Sequence, residues 1–207
     1  QDLSPDGKWA LAVVPSSPHQ LVLYPTGAGE KRRMESGGLV SYDSAQFFPD
    51  GRRLLVCGAE TGRAVRCYIQ DIAGGKPRPL TPDGMSQGFV SPDGASILVR
   101  SGGGALLLFP SAGGEPRSVP GTTPEDRVLR WGADGRSLVL YSGSQVPVRS
   151  ERLDLATGRR EPLRTFGNPE TAGALRIGTF ALNNDGKSYA YSYGYQLSHL
   201  FVVEGAR

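Results

Sequence analysis

An all-β fold built from repeated four-stranded units is what the sequence predicts, and three observations predict it. Apolar residues make up 38% of the chain while 29 glycines and 16 prolines are dispersed along it, a balance that suits short strands and tight turns better than helices. A turn signal ending in Asp-Gly recurs at Ser4-Pro5-Asp6-Gly7, Phe48-Pro49-Asp50-Gly51, Ser91-Pro92-Asp93-Gly94, Gly132-Ala133-Asp134-Gly135 and Asn183-Asn184-Asp185-Gly186, each time ahead of an apolar run. The glycines of these signals stand 44, 43, 41 and 51 residues apart. Three of those four intervals match the period of about 40–45 residues of one β-propeller blade.

The turn has a physical reading. Proline presets φ at the second position of a type I turn, aspartate suits the third, and glycine takes the left-handed position that closes a three-residue hairpin. Each mark is therefore a strand-turn-strand corner. Ala133 and Asn184 can stand in for proline because that position needs only an ordinary φ, whereas glycine stays wherever φ is positive. A second marker follows each corner, at Ala28-Gly29-Glu30, Gly74-Gly75-Lys76, Gly113-Gly114-Glu115 and Thr157-Gly158-Arg159. Its glycines lie 22, 24, 20 and 23 residues beyond the corner glycine, and Gly205, 19 residues after Gly186, is the candidate fifth. Two turn signals that hold nearly fixed spacing through four copies say far more than one Asp-Gly does.

Each repeat then reads as four strands. In the second repeat these are an inner strand at 45–48, two middle strands at 53–58 and 66–71, and an outer strand at 78–81. Third strands elsewhere fall at 20–24, 105–109, 150–155 and 200–204. The blades span about residues 1–37, 38–84, 85–121, 122–166 and 167–207. Middle strands are continuous apolar runs, as expected of sheets covered on both faces. Outer strands carry Arg and Pro, which suits an exposed edge.

The run Gly74-Gly75-Lys76-Pro77-Arg78-Pro79-Leu80-Thr81, taken with the Ser-Pro-Asp-Gly corners and the paired apolar strands, resembles the WD-like repeats of TolB-type propellers. The likeness covers nearly the whole chain. It implies a β-propeller, and a role as a protein-binding module, a cap on a serine peptidase or an appendage of a bacterial signalling protein. It also implies a periplasmic or other extracytoplasmic location. The closing segment, from Tyr189-Ala190-Tyr191-Ser192-Tyr193 to Leu200-Phe201-Val202-Val203-Glu204-Gly205, is similar to the final blade of propellers attached to bacterial eukaryotic-type Ser/Thr protein kinases.

Propellers close by sharing one blade between both chain ends, which leaves no long edge exposed. Gln1 already falls on the inner strand of the first blade and Arg207 ends soon after the third strand of the fifth. The expectation is therefore five visible blades of a larger propeller. Closure by five blades is the simpler alternative, and self-association through exposed blade edges is the third.

Few residues suggest chemistry. The net charge of +3, from 23 basic and 20 acidic side chains, is small and dispersed, so no nucleic-acid partner is expected. No stretch approaches the about 20 apolar residues of a membrane span, no signal sequence opens the chain, and no membrane contact is expected within it. His19 and His199 belong to no metal-binding pair, and no Gly-x-Ser-x-Gly elbow occurs. Gly186-Lys187-Ser188 echoes a phosphate loop but falls on a blade turn, and the Asn183 to Gly186 run lacks the acidic ligand that a calcium loop needs. No catalytic residue, metal or cofactor is expected.

Two sets of residues merit weighing. Cys57 and Cys67 lie on adjacent strands joined by a hairpin centred near Thr61 and Gly62, so a symmetric turn would place them opposite each other. A cross-strand disulfide, with the oxidising compartment it implies, competes with buried free thiols, because a one-residue slip decides the pairing. Tyr42, Asp43, Gln87, Arg127 and Arg176 enter inner strands and vary in type from copy to copy. They are candidates for the rim of a central channel, where propellers hold ligands, against the plainer reading of ordinary polar rim residues.

The leading functional expectation is a noncatalytic scaffold or sensor module that binds a protein, peptide or small ligand within a modular bacterial protein, such as a Ser/Thr kinase. The alternative is a cap that regulates access to a prolyl oligopeptidase-type peptidase domain. A self-contained enzyme ranks third, since the inner strands show few carboxylates.

Overall fold

A computed structural model of the chain describes residues 2–143, 147–166, 174–182 and 189–195, the last two segments mostly as backbone alone. All regular structure among the described residues is strand, and it forms successive antiparallel meanders. The first sheet runs β1 (Asp2–Leu3), β2 (Trp9–Val14), β3 (Gln20–Pro25) and β4 (Arg32–Arg33). The second runs β5 (Leu39–Phe47), β6 (Arg53–Glu60), β7 (Arg66–Asp71) and β8 (Arg78–Pro79). The third holds β9 (Met85–Val90), β10 (Ser96–Ser101), β11 (Leu106–Pro110) and β12 (Arg117–Ser118). In the fourth are β13 (Asp126–Trp131), β14 (Ser137–Ser142), β15 (Val148–Asp154) and β16 (Arg160–Phe166). Beyond it β17 (Ala174–Leu182) pairs with β18 (Tyr189–Tyr195). The fifth corner turn, the predicted strand at 200–204 and Gly205 lie outside the described residues.

The corners sit where the repeat puts them, with Gly7, Gly51, Gly94 and Gly135 at φ of 70°, 66°, 70° and 63°. Their loops are one residue longer than the three-residue reading. Ser4 N–H donates to Trp9 O at 2.8 Å, so residues 5–8 form the loop, and the other three corners repeat this pattern. The longer loop leaves backbone N–H groups without a ladder partner, and side-chain oxygens take them. Asp6 Oδ1 accepts from Lys8 N–H and Ser4 Oγ from Trp9 N–H, while the Ser4 hydroxyl donates to Asp6 Oδ1 at 2.7 Å. Ser91 and Asp93 repeat the arrangement on Ala95 and Ser96. Where Phe48 replaces the serine, Asp50 Oδ1 takes both following N–H groups, from Arg52 and Arg53. Where Gly132 replaces it, Ser137 Oγ reaches back to Asp134 Oδ1 at 3.0 Å.

These donors hold the corner carboxylates below their ordinary range. For Asp6 and Asp93 the serine hydroxyl is the main cause, and for Asp134 it is the N–H of Arg136. At Asp50 burial opposes the effect, but the Arg52 and Arg53 N–H groups and the Arg53 guanidinium prevail.

Period-two alternation splits each apolar run between two neighbouring sheets. Leu54 and Val56 face Leu11, Leu21 and Leu23 of the first sheet. Leu55 and Cys57, on the same strand, face Ile97, Val99 and Phe109 of the third. Leu98, Leu106 and Leu108 in turn meet Leu138, Leu140 and Leu153 of the fourth. The sheets therefore stack face to face in chain order, and the middle strands of the second and third sheets are buried on both sides, as their continuous apolar runs require.

The corner aspartates carry two expected outcomes. Asp93→Ala removes an acceptor for one N–H and one hydroxyl at an exposed turn, and denaturant unfolding should show a loss of about 1 kcal/mol. The folded pKa values of these four residues lie below the ordinary 3.8, so below that value the unfolded chain binds more protons and their contribution is lost as pH falls. Thermal unfolding followed by circular dichroism should hold its midpoint down to about pH 5 and then fall, less steeply in Asp93→Ala.

Candidate functional site

The inner strands β1, β5, β9 and β13 stand around a cavity of about 640 Å³ whose polar lining includes Asp2, Asp43, Gln46, Gln87, Arg127 and Tyr141. A second chamber of about 560 Å³ shares Asp2, Gln46, Phe89 and Leu129 with it. Its other lining residues include Pro5, Pro49, Pro92 and Ala133, the second residues of the four corner turns. The two chambers adjoin at their shared residues in the space between the inner strands, the channel, and the corners border the second.

The inner edges of β5 and β9 have no strand partner, and side chains of the preceding sheet take up several of their N–H groups. Asp2 Oδ2 accepts from Phe47 N–H at 2.7 Å, Gln46 Oε1 from Val90 N–H at 2.8 Å and Asp43 Oδ2 from Gln87 N–H at 3.0 Å. In the reverse direction the Trp131 indole donates to Phe89 O at 3.3 Å. These clamps hold the channel wall and turn the remaining ends of the same polar groups toward the cavity. Burial pushes the Asp2 carboxyl above its ordinary value, against the lowering influence of the Phe47 N–H.

Bulges shape the wall. The pairing of β5 with β6 shifts between Tyr42 and Ser44, that of β9 with β10 across Gln87 and Gly88, and that of β13 with β14 at Leu129. A bulge re-aims a side chain out of the ladder, and here it does so at the cavity lining. Gln87 carries the strongest mark of it, a φ of 52° in a residue other than glycine.

Arg100, 8% exposed, holds that bulge in place. Its Nε donates to Gln87 Oε1 at 3.0 Å, Nη1 to Gly104 O at 2.8 Å and Nη2 to Asp126 O at 2.5 Å. Desolvation pulls its pKa down, helped by the nearby charge of Arg127. Asp126 is fully buried, yet its carboxyl lies below the ordinary range. Burial pushes it up, but the Arg160 guanidinium, the Ser142 hydroxyl and the Thr123 N–H together outweigh that.

The structure brings together three of the five sequence candidates, Asp43, Gln87 and Arg127. Tyr42 is elsewhere: at 7% exposure it packs between the first and second sheets with Leu39 and Phe47, and it does not line the channel. Strand alternation points it to the face opposite Asp43, away from the channel. Arg176 pairs through its backbone with Gly194, and its side chain lies outside the described residues. Sequence reading missed Asp2, Gln46, Tyr141 and Arg100. A signal existed for two of them, since Asp2 and Gln46 both stand five residues before a corner glycine. Cys57 and Cys67 are direct cross-strand partners and are bonded, with Cα atoms 4.0 Å apart. Among the described residues, no group of three or more His, Cys, Asp or Glu side chains gathers as metal ligands would. Arg100→Met would strip the donor from Gln87 Oε1 and several buried carbonyls, and denaturant titration should show a loss of about 2–4 kcal/mol.

No protein-family model matches the sequence. No curated protein matches it either. Solved structures do. TolB from Acinetobacter baumannii superposes with a TM-score of 0.68 at 18% identity, over 94% of this chain and 54% of that one. A putative TolB from Agrobacterium tumefaciens gives 0.67 at 16% identity, over 92% of this chain and 78% of that one. An oligogalacturonate lyase from Vibrio parahaemolyticus gives 0.64 at 14% identity, over 89% and 55%. The chain thus spans about half the length of the first and third of these proteins. Such identities speak for architecture alone, and with the four stacked meanders they establish that the chain has the TolB-like β-propeller fold.

Proposed function

We propose that this chain is a noncatalytic scaffold or sensor module that takes a peptide segment of a protein partner, or a small ligand of similar polarity, into the channel. The observation that carries this reading is the channel itself. Its polar wall is preorganised by backbone clamps, so a ligand meets Asp43, Gln46 and Arg127 already held near one geometry. The mixed charge of Asp43 and Arg127 suits a zwitterionic or hydrogen-bonding guest such as peptide backbone. Phe89, Leu129 and Trp131 in the second chamber offer apolar surface to side chains of the guest.

The neighbours include a lyase as well as TolB proteins, so the fold leaves the functional class open and the site has to carry the argument. A place within a larger bacterial signalling protein, as the sensor of a Ser/Thr kinase, is the finer part of the proposal. It rests on the likeness of the Tyr189 to Gly205 segment to such propellers.

Panning a displayed peptide library against the chain tests the reading. Selected peptides should bind the unaltered protein and weaken at least tenfold on Arg127→Glu or Gln46→Leu. Peptides whose affinity ignores both substitutions bind elsewhere, and that outcome removes the channel from consideration.

A further inference from the structure

We propose that the Cys57–Cys67 bond sets the position of the channel wall, and that its reduction by a small dithiol releases that wall. Both cysteines are 0% exposed and belong to the cluster between the second and third sheets. Inner strand β9 covers them there. Cys67 Sγ lies 4.0 Å from Met85 O, and a Cβ placed on Gly88 would come within 2.9 Å of Cys57 Sγ. Glycine at position 88 therefore lets the strand backbone rest almost directly on the sulfur.

The same stretch of β9 is channel wall. Gln87 and Gly88 line the cavity, Gln87 in its left-handed conformation and Gly88 N–H pointing at Ser44 Oγ from 3.4 Å. Disulfide and bulge are thus back to back, with one strand backbone between sulfur and cavity.

Reduction breaks the S–S bond and forms two S–H bonds. The two electrons and two protons come from the dithiol, which leaves as a cyclic disulfide. Two free thiols cannot keep a bonding separation, so the pair must move apart to van der Waals contact. Strands β6 and β7 resist, because their pairing continues without a break from Arg53 opposite Asp71 to Gly58 opposite Arg66. A close-packed interior passes such a displacement on, and the neighbour in contact with the sulfurs is β9. Since the sulfurs are sealed, the reductant reaches them only when β9 lifts. The movement that admits the reagent is the movement that reshapes the wall, and by linkage a guest that holds β9 down protects the bond.

The inference concerns the wall and stands whatever fills the channel, so its test needs no ligand. Hydrogen exchange read by mass spectrometry on the full chain, with and without dithiothreitol, is the experiment, with free thiols counted by alkylation. The amides of residues 85–90 should exchange at least tenfold faster once the bond is reduced, while β2, β3 and β14 keep their protection. In a Trp9→Phe background, Trp131 emission should shift at the same time, because its indole donates to Phe89 O. The Cys57→Val/Cys67→Val variant should ignore dithiothreitol. Unchanged exchange in β9 with the thiols free overturns the proposal, as does a bond that survives excess dithiothreitol in the folded chain. Equal loss of protection in every sheet also overturns it, since the bond would then be a staple of the whole fold.

Discussion

A four-stranded meander ends in an inner strand whose outward N–H and C=O groups have no strand to pair with, and burial without partners would cost about 1–3 kcal/mol for each. On β5 and β9 the structure meets this constraint with side chains from the preceding sheet. Asp2 serves Phe47, Asp43 serves Gln87 and Gln46 serves Val90. Everything at the centre follows from these clamps: the side-by-side approach of inner strands, the width left between them and the polarity of the wall. Asp2, Asp43 and Gln46, the acceptors that these edges need, all lie in the cavity lining.

Much of the fold was legible in the sequence because its signals are local. Corner spacing marked the repeats, positive φ explained the glycines, and the second marker identified the connection to each outer strand: Gly29, Gly75, Gly114 and Gly158 all take positive φ. The extra loop residue escaped notice because the Ser and Asp side chains that make it tolerable were read as turn formers only. Their second role, accepting specific N–H groups, depends on distances that residue type does not report.

The site was less legible, for a different reason. Bulges shift strand register, and a shift of one residue sends a side chain to the opposite face. Tyr42 and Asp43, adjacent in sequence, lie on opposite faces, and the register alone decides which of them lines the cavity. Arg100 follows the apolar run Ile97-Leu98-Val99 directly, where its charge reads as the end of a buried stretch. Its function, to hold Gln87 and the entry to the fourth sheet, joins residues 13 to 26 positions apart and becomes visible only in three dimensions.

The corner turns have a kinetic consequence. Every hydrogen bond within a corner joins residues at most five positions apart, for example Trp9 to Ser4, so hairpin ends can form on the microsecond scale of local structure, about 1–10 μs. The clamps between inner strands span 44 or 45 residues and must wait for a whole repeat to be arranged. Corners therefore form first and the channel last. Its wall is the late, slow product of folding, assembled from edges that local structure has already aligned.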